Sequence, residues 1–239
     1  MTDIRVSTVV MAHPRRRAFI PELTKSLGGT VPVVWDRIND RWDTGRRAIL
    51  AGHRIDPKAT HVMIIQDDAV VSKSLVKAIP GVIEHAANGA VLGLYIGKSR
   101  PFRQSINNLQ SRMTKRTRWM VMSQLHWGVG VVIPVRYIPE LVTWCDHRND
   151  IPNYDKRMSR WFQANNVPVW YPWPSLVDHR KSPSLVPGRT SNGRHALSFI
   201  GENRSALHYD WQGDQLHVSP SVAGKANARP KMRSWRRTS

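Results

Sequence analysis

Apolar positions fall along the chain in two rhythms. Val6 to Met11 (VSTVVM), Val31 to Asp36 (VPVVWD), His61 to Gln66 (HVMIIQ), Ala90 to Ile96 and Gly128 to Pro134 (GVGVVIP) are short, β-branched runs that read as buried strands. Val167 to Pro172 is a further extended segment. Between these runs the spacing turns helical. From Arg15 to Leu27 the apolar residues Phe19, Ile20, Leu23 and Leu27 share one face, and Gly28-Gly29 closes the segment as a C-cap does. Gly45 to Ala51 reads as a helix capped by Asp43 or Thr44 and ended by Gly52. Ser72 to Ala87, interrupted near Pro80-Gly81, Tyr137 to Cys145 and Lys156 to Ala164 complete the helical set. Strands alternating with helices predict an α/β domain whose central sheet is mostly parallel and covered by helices. Gly97 to Arg118 is polar, basic and weakly patterned, and reads as a loop or irregular helix. No repeat period is evident.

Composition sharpens this picture in three ways. A chain of 239 residues with 41% hydrophobic residues and ten Trp is long enough for one sizeable core and too apolar for a disordered polymer. The lone cysteine, Cys145, excludes an intrachain disulfide and a cysteine zinc site, which fits a reducing compartment. No apolar run approaches the ~18 residues of a spanning helix, and Met1 to Arg5 lacks a signal-peptide pattern, so a cytoplasmic protein is expected. The net charge of +19 sets up a field that concentrates polyanions, nucleic acid and nucleotides among them. A generally basic, solvated surface explains the charge equally well. From Gly224 onward Lys225, Arg229, Lys231, Arg233, Arg236 and Arg237 stand without an acid, as in a flexible basic tail.

The chemistry-bearing feature is Gln66-Asp67-Asp68, where two adjacent carboxylates follow an apolar strand. Ligands of open α/β sheets bind beyond the carboxyl ends of the strands. Like charges held there raise one another's pKa unless a cation neutralises them, and a hard divalent ion such as Mg²⁺ or Mn²⁺ converts the repulsion into binding. A turn in which both acids cap the next helix is the structural alternative. A second cluster, Asp178-His179-Arg180-Lys181-Ser182, follows a segment rich in Trp, Tyr and Pro. Imidazole is a competent Mn²⁺ ligand, and Arg, Lys and Ser grip phosphate oxygens through charge-assisted hydrogen bonds. A histidine bonded only to backbone is the bland reading of His179.

In order and kind, TVVMAHPRR, VVWD, IIQDD and WPSLVDHRKSPSL resemble the motifs of GT-A nucleotide-sugar glycosyltransferases of bacteriophage or bacterial type, over about Val6 to Leu185. The resemblance implies a single GT-A, Rossmann-like domain over residues 1–223 and a basic tail over 224–239. It implies that Ala12, His13 and Arg15 after the first strand, and Asp36 after the second, meet the donor nucleotide. Asp68 and His179 become metal ligands, and Asp67 lies toward ribose or metal-bound water. Gln66 stands where relatives carry an acid. Arg46 and Arg47, at a helix start resembling the one over the diphosphate, and Arg180, Lys181 and Ser182, on a closing loop, become donor-binding residues. Asp155, in NYDKRMSRW, occupies the place of the base in inverting members, although the same residue can simply cap its helix.

The expected reaction is sugar transfer from a nucleotide-sugar donor to an acceptor hydroxyl, with inversion. Trp127, Trp161, Trp170 and Trp173 flank the expected cleft, where one or two aromatic faces are expected to touch ligand. GVG at Gly128 to Gly130 lacks the rest of a dinucleotide fingerprint and reads as close backbone approach. The basic stretch Lys98 to Arg118, with Arg100, Arg103, Arg112, Lys115 and Arg116, and the tail suit DNA carrying a hydroxylated base, while a protein acceptor stays open. Two other classes share these features: a nucleotidyltransferase, and a non-enzymatic nucleic-acid-binding protein with structural acids.

Overall fold

A computed structural model describes residues 3–98, 109–185 and 194–218. Arg100, Arg103 and the basic tail lie outside the described residues. Ten strands are described: β1 (Val6–Ala12), β2 (Val33–Trp35), β3 (His61–Gln66), β4 (Ala69–Val71), β5 (Val91–Gly93), β6 (Thr117–Met122), β7 (Gly130–Pro134), β8 (Val169–Pro172), β9 (Val177–His179) and β10 (Asp214–Val218). The helices are α1 (Ile20–Ser26), α2 (Arg41–Ile55), α3 (Leu75–Glu84), α4 (Ile138–Asp146) and α5 (Tyr154–Ala164).

The main sheet has eight strands in the order β10-β6-β8-β5-β7-β3-β1-β2, and β4 pairs with β9 in a separate two-stranded sheet. β1, β2, β3, β5 and β8 run one way, and β6, β7 and β10 run the other. The expected α/β architecture with a mostly parallel sheet is therefore present, with three strands reversed. Alternate residues of each strand enter separate cores. Val10, Met63, Ile65 and Leu92 pack with α1 and α3 on one face. Val9, Val62, Ile64 and Val131 pack with α2, α4 and α5 on the other. This two-sided burial explains why the strands read as continuous apolar runs rather than alternating ones. Burying one such Ile or Val side chain stabilises the fold by about 1.5–3 kcal/mol.

Several boundaries move for identifiable reasons. α2 starts at Arg41 because Asp40 accepts from the backbone N–H groups of Trp42 and Asp43, so Asp40 is the cap rather than Asp43 or Thr44. The helix runs through Gly52, which lies under the side chain of Val62 where a methyl group has no room. α3 runs through Pro80. The helical stretch after β1 is broken: a 3-10 turn over Pro14–Phe19 precedes α1, with Arg16 out of helical geometry. β6 takes the end of the stretch read as a loop, and β10 pairs with it at the sheet edge, although its sequence is polar.

Candidate active site

The parallel strands β1, β2, β3 and β8 end at one edge of the sheet, and the chain's polar turns gather there. Asp67 N–H donates to the carbonyl of Met11 at 3.0 Å, and Asp36 N–H to that of Ala12 at 2.7 Å. From the end of β8 the chain returns as β9, which runs antiparallel to β4. Their register sets His179 opposite Ala69, and Arg180 N–H donates to the carbonyl of Asp68 at 2.7 Å. A three-residue ladder thus brings Asp68 and His179 together from distant parts of the sequence. Their side chains meet at 3.2 Å between Asp68 Oδ2 and His179 Nδ1. Asp67 and Asp68 form the turn between β3 and β4, while α3 begins later, after Ser74, so the acids cap no helix.

Both carboxylates are buried, Asp68 completely. Arg16, itself buried by the kink in the 3-10 turn, places Nη1 2.8 Å from Asp67 Oδ1 and 2.9 Å from Asp68 Oδ2. Its Nη2 donates to the carbonyl of Pro183 at 3.2 Å, tying the segment after His179 to the same guanidinium. The N–H of His13 donates to Asp67 Oδ2 at 2.7 Å. A second guanidinium, that of Arg194, lies 3.0 Å from Asp68 Oδ2 and 3.2 Å from His179 Nδ1. Burial raises the pKa of Asp67, and the His13 amide and Arg16 offset this only in part. For Asp68 burial acts the same way, but His179, Arg16 and Arg194 together outweigh it and hold the carboxyl down at about 2. Asp68 is therefore an anion at any physiological pH.

Asp68 is lopsided. Its Oδ2 has three cationic or N–H neighbours, whereas Oδ1 is buried and has no hydrogen-bond partner among the described residues. The hydroxyl of Ser182, two residues beyond Arg180, is likewise buried and unpartnered. Among the described residues no group of three His, Cys, Asp or Glu side chains is arranged to hold a metal ion. Mg²⁺ and Mn²⁺ sites that work on phosphates need less, since one or two protein ligands suffice when substrate oxygens complete the shell. The unpartnered Oδ1 beside an imidazole fits that donor set.

The remaining expected site residues divide into two groups. Gln66 ends β3, and His13, Asp36 and Ser182 lie on the turns at this edge. His13 Nδ1 accepts from the N–H of exposed Arg15 at 3.1 Å, and Asp36 accepts from the N–H groups of Ile38 and Asn39. Gln66 Nε2 donates to the Tyr154 hydroxyl at 3.3 Å, and that hydroxyl donates to the carbonyl of Gly128. Gly128 is needed there, because a Cβ would run into the Tyr154 ring. Asp155, next along α5, is half-buried in the helix's first turn, where its Oδ1 accepts from the N–H of Lys156 at 2.8 Å.

Arg46, Arg47 and Arg180 are engaged elsewhere. Arg46 pairs with Asp146 at 2.9 Å, joining α2 to α4. Arg47 pairs with Asp43 at 2.8 Å and donates to the carbonyl of Trp35. Both line a separate cavity of about 380 Å³ along edge strand β2. The Arg180 guanidinium reaches Glu22 on α1 at 2.7 Å and lies over Phe19. Lys181 is exposed on a cavity of about 480 Å³ beside β9, which Arg180, Asp178 and His195 also line. Trp161 and Trp170 are core residues, and Trp173 is half-buried with its backbone N–H donating to the carbonyl of Arg118. Trp127 reaches the site through Tyr95, against which it packs edge-on and whose ring is in turn edge-on to His179.

No protein-family model matches the chain, and no curated protein is significantly similar to it in sequence. Among solved structures it is similar to A197 from STIV, with 11% identity, a TM-score of 0.45, and coverage of 86% of this chain and 100% of that one. A Drosophila β-1,4-galactosyltransferase 7 variant in complex with manganese, UDP-Gal and xylobiose shows 10% identity, a TM-score of 0.42, and coverage of 81% and 70%. A glycosyltransferase involved in glycosylation of the major capsid of PBCV-1 shows 9% identity, a TM-score of 0.39, and coverage of 80% and 96%. Two of these three neighbours are glycosyltransferases.

Proposed function

We propose that the chain is a metal-dependent, nucleotide-sugar-dependent glycosyltransferase of GT-A type. The observation that carries this reading is the meeting of Asp68 and His179 at 3.2 Å at the carboxyl edge of the sheet, with an unpartnered, buried Asp68 Oδ1 beside them. Asp68 and His179 would hold Mg²⁺ or Mn²⁺, which neutralises charge developing on a leaving diphosphate. Arg16 favours the charged form of both carboxylates, partly offsetting their burial, and fixes their orientation. The turns carrying Ala12, His13, Arg15 and Asp36 supply the nucleotide's walls, with His13 held in place by Asp67. Lys181 and Ser182 supply polar groups to the phosphates.

Asp155 is the base that takes the proton of the acceptor hydroxyl as it attacks the anomeric carbon, which gives inversion. Support for this role is its place in the first turn of α5, next to Tyr154, whose hydroxyl bridges Gln66 and Gly128. DNA is the favoured acceptor on charge, and the described part of the basic stretch contributes exposed Lys98, Arg112 and Lys115 to that field, whereas Arg116 pairs with Asp214 at 3.7 Å. A protein acceptor fits the same site. Among the described residues no helix is long and apolar enough to cross a membrane.

The test is a panel of nucleotide sugars incubated with the protein and Mn²⁺, with the phosphate products resolved by chromatography. Release of nucleoside diphosphate, lost in Asp68→Asn, supports sugar transfer. Release of pyrophosphate makes the protein a nucleotidyltransferase. No turnover of any donor, together with salt-sensitive DNA binding that persists in Asp68→Ala, makes it a binding protein.

A further inference from the structure

Arg194 stands against both residues that would hold a divalent ion. Its Nη2 lies 3.0 Å from Asp68 Oδ2, 3.2 Å from His179 Nδ1 and 3.4 Å from His179 Nε2. Asp68 Oδ2 and His179 Nδ1 are themselves 3.2 Å apart, so this one nitrogen of Arg194 stands against both side chains at once. A guanidinium cannot give up its proton, so while it stands against that ring it repels any second cation.

The two guanidiniums at the acids differ in how freely they can leave. Arg16 bridges both carboxylates from a side chain only 10% exposed and is also held by Pro183, whereas the Arg194 side chain is 26% exposed and reaches one carboxylate oxygen. The backbone of Arg194 is fixed independently of its guanidinium. Tyr95 donates its hydroxyl to the Arg194 carbonyl at 2.8 Å. The next residues are held by Asp178, which accepts from the N–H of Ala196 at 2.5 Å and faces His195 Nδ1 at 3.2 Å, and by Leu197 N–H on the carbonyl of Ile96. The side chain can therefore swing outward while the strap that carries it stays in place.

Resting on the glycosyltransferase reading, we infer that Arg194 is a tethered cation that fills the Asp68–His179 site in the absence of metal and is displaced when a divalent ion enters. The exchange keeps a second cation beside the two buried acids, which would otherwise share the single charge of Arg16 when the metal leaves. It also sets the metal affinity below what Asp68 and His179 alone would provide.

The experiment is a Mn²⁺ titration followed by the electron paramagnetic resonance signal of free Mn²⁺, without nucleotide, on wild type, Arg194→Gln, Arg194→Ala and Arg194→Gln/Asp68→Asn. Displacing one charge-assisted hydrogen bond network corresponds to a change of about tenfold or more in affinity. The expected result is that Arg194→Gln and Arg194→Ala both bind Mn²⁺ at least about tenfold more tightly than wild type, and that adding Asp68→Asn abolishes the gain. Equal or weaker binding in the single variants, or no binding in any of the proteins, overturns the proposal. Nucleoside diphosphate release by wild type in chelator, measured alongside, separates the cases. If it persists, sugar transfer stands and the site works without metal.

Discussion

Replacing Arg16 by methionine removes the cation that both acids share while keeping most of the side chain's apolar volume. An exposed ion pair is worth ~0–1 kcal/mol, but breaking a buried one by removing a single partner costs ~3–5 kcal/mol, because the other charge is left without compensation. Here the Arg16 side chain is 10% exposed and the carboxylates 6% and 1%, at 2.8 and 2.9 Å, so the buried regime applies. Asp68 keeps His179 and Arg194, and Asp67 keeps the His13 amide, which places the loss at the low end, about 3 kcal/mol. Urea unfolding at pH 7, followed by far-ultraviolet circular dichroism, reads this as a fall of ~1 M or more in the midpoint for a slope of ~3 kcal/mol per molar. Adding Asp67→Asn to Arg16→Met should recover part of the loss, since the stranded charge is gone, and Mn²⁺ should raise the midpoint of Arg16→Met more than that of wild type. A loss below ~1 kcal/mol for Arg16→Met, or strictly additive effects in the double variant, would refute the view that these charges form one buried unit.

Other consequences follow from the same coordinates. Burial, aided for His61 by Arg136, lowers the pKa values of His61 and His126 from 6.5 to about 4. Both are neutral in the folded chain at a pH where the unfolded chain protonates them, so stability should fall as pH drops from 6.5 toward 4, by at most ~1.4 kcal/mol per pH unit for each histidine. His61→Gln should flatten that slope in urea titrations at several pH values, and an unchanged slope speaks against the assignment. Gly52→Ala gains ~1 kcal/mol in helix propensity but drives a methyl group into Val62, at a cost of ~1–3 kcal/mol, so it should lower the urea midpoint rather than raise it. Asp155→Asn should cut kcat by a hundredfold or more, as loss of a general base does, while leaving Mn²⁺ binding unchanged; near-normal turnover would remove Asp155 from the reaction.

Where burial dictates residue type, the sequence was readable. The continuous runs VSTVVM and HVMIIQ are strands with a core on each face, and the acids at the end of β3 announce themselves because nothing apolar belongs there. His179 stood out through its company of Arg, Lys and Ser, yet what delivers it to Asp68 is the β4–β9 ladder, three residues per strand and too short to leave a pattern. Arg16 and Arg194 were not singled out. Each is one arginine among many in a chain of net charge +19, and only the kink that buries Arg16 and the strap that carries Arg194 distinguish them from surface cations. Arg46 and Arg47 show the converse. Their sequence context suggests an anion site, and in the fold each is paired with an acid, Asp146 for Arg46 and Asp43 for Arg47. Helix boundaries shifted where a competing cap was available, as with Asp40 in place of Asp43.

The claim on which the functional reading turns is that Asp68 and His179 hold one divalent ion beneath a nucleotide diphosphate. Pulsed electron paramagnetic resonance of the protein with Mn²⁺ and a nucleoside diphosphate tests it directly, through the nitrogen coupling of a metal-bound imidazole. The coupling is predicted in wild type and absent in His179→Ala. Mn²⁺ bound with no nitrogen coupling, or with a coupling that survives in His179→Ala, contradicts the assignment.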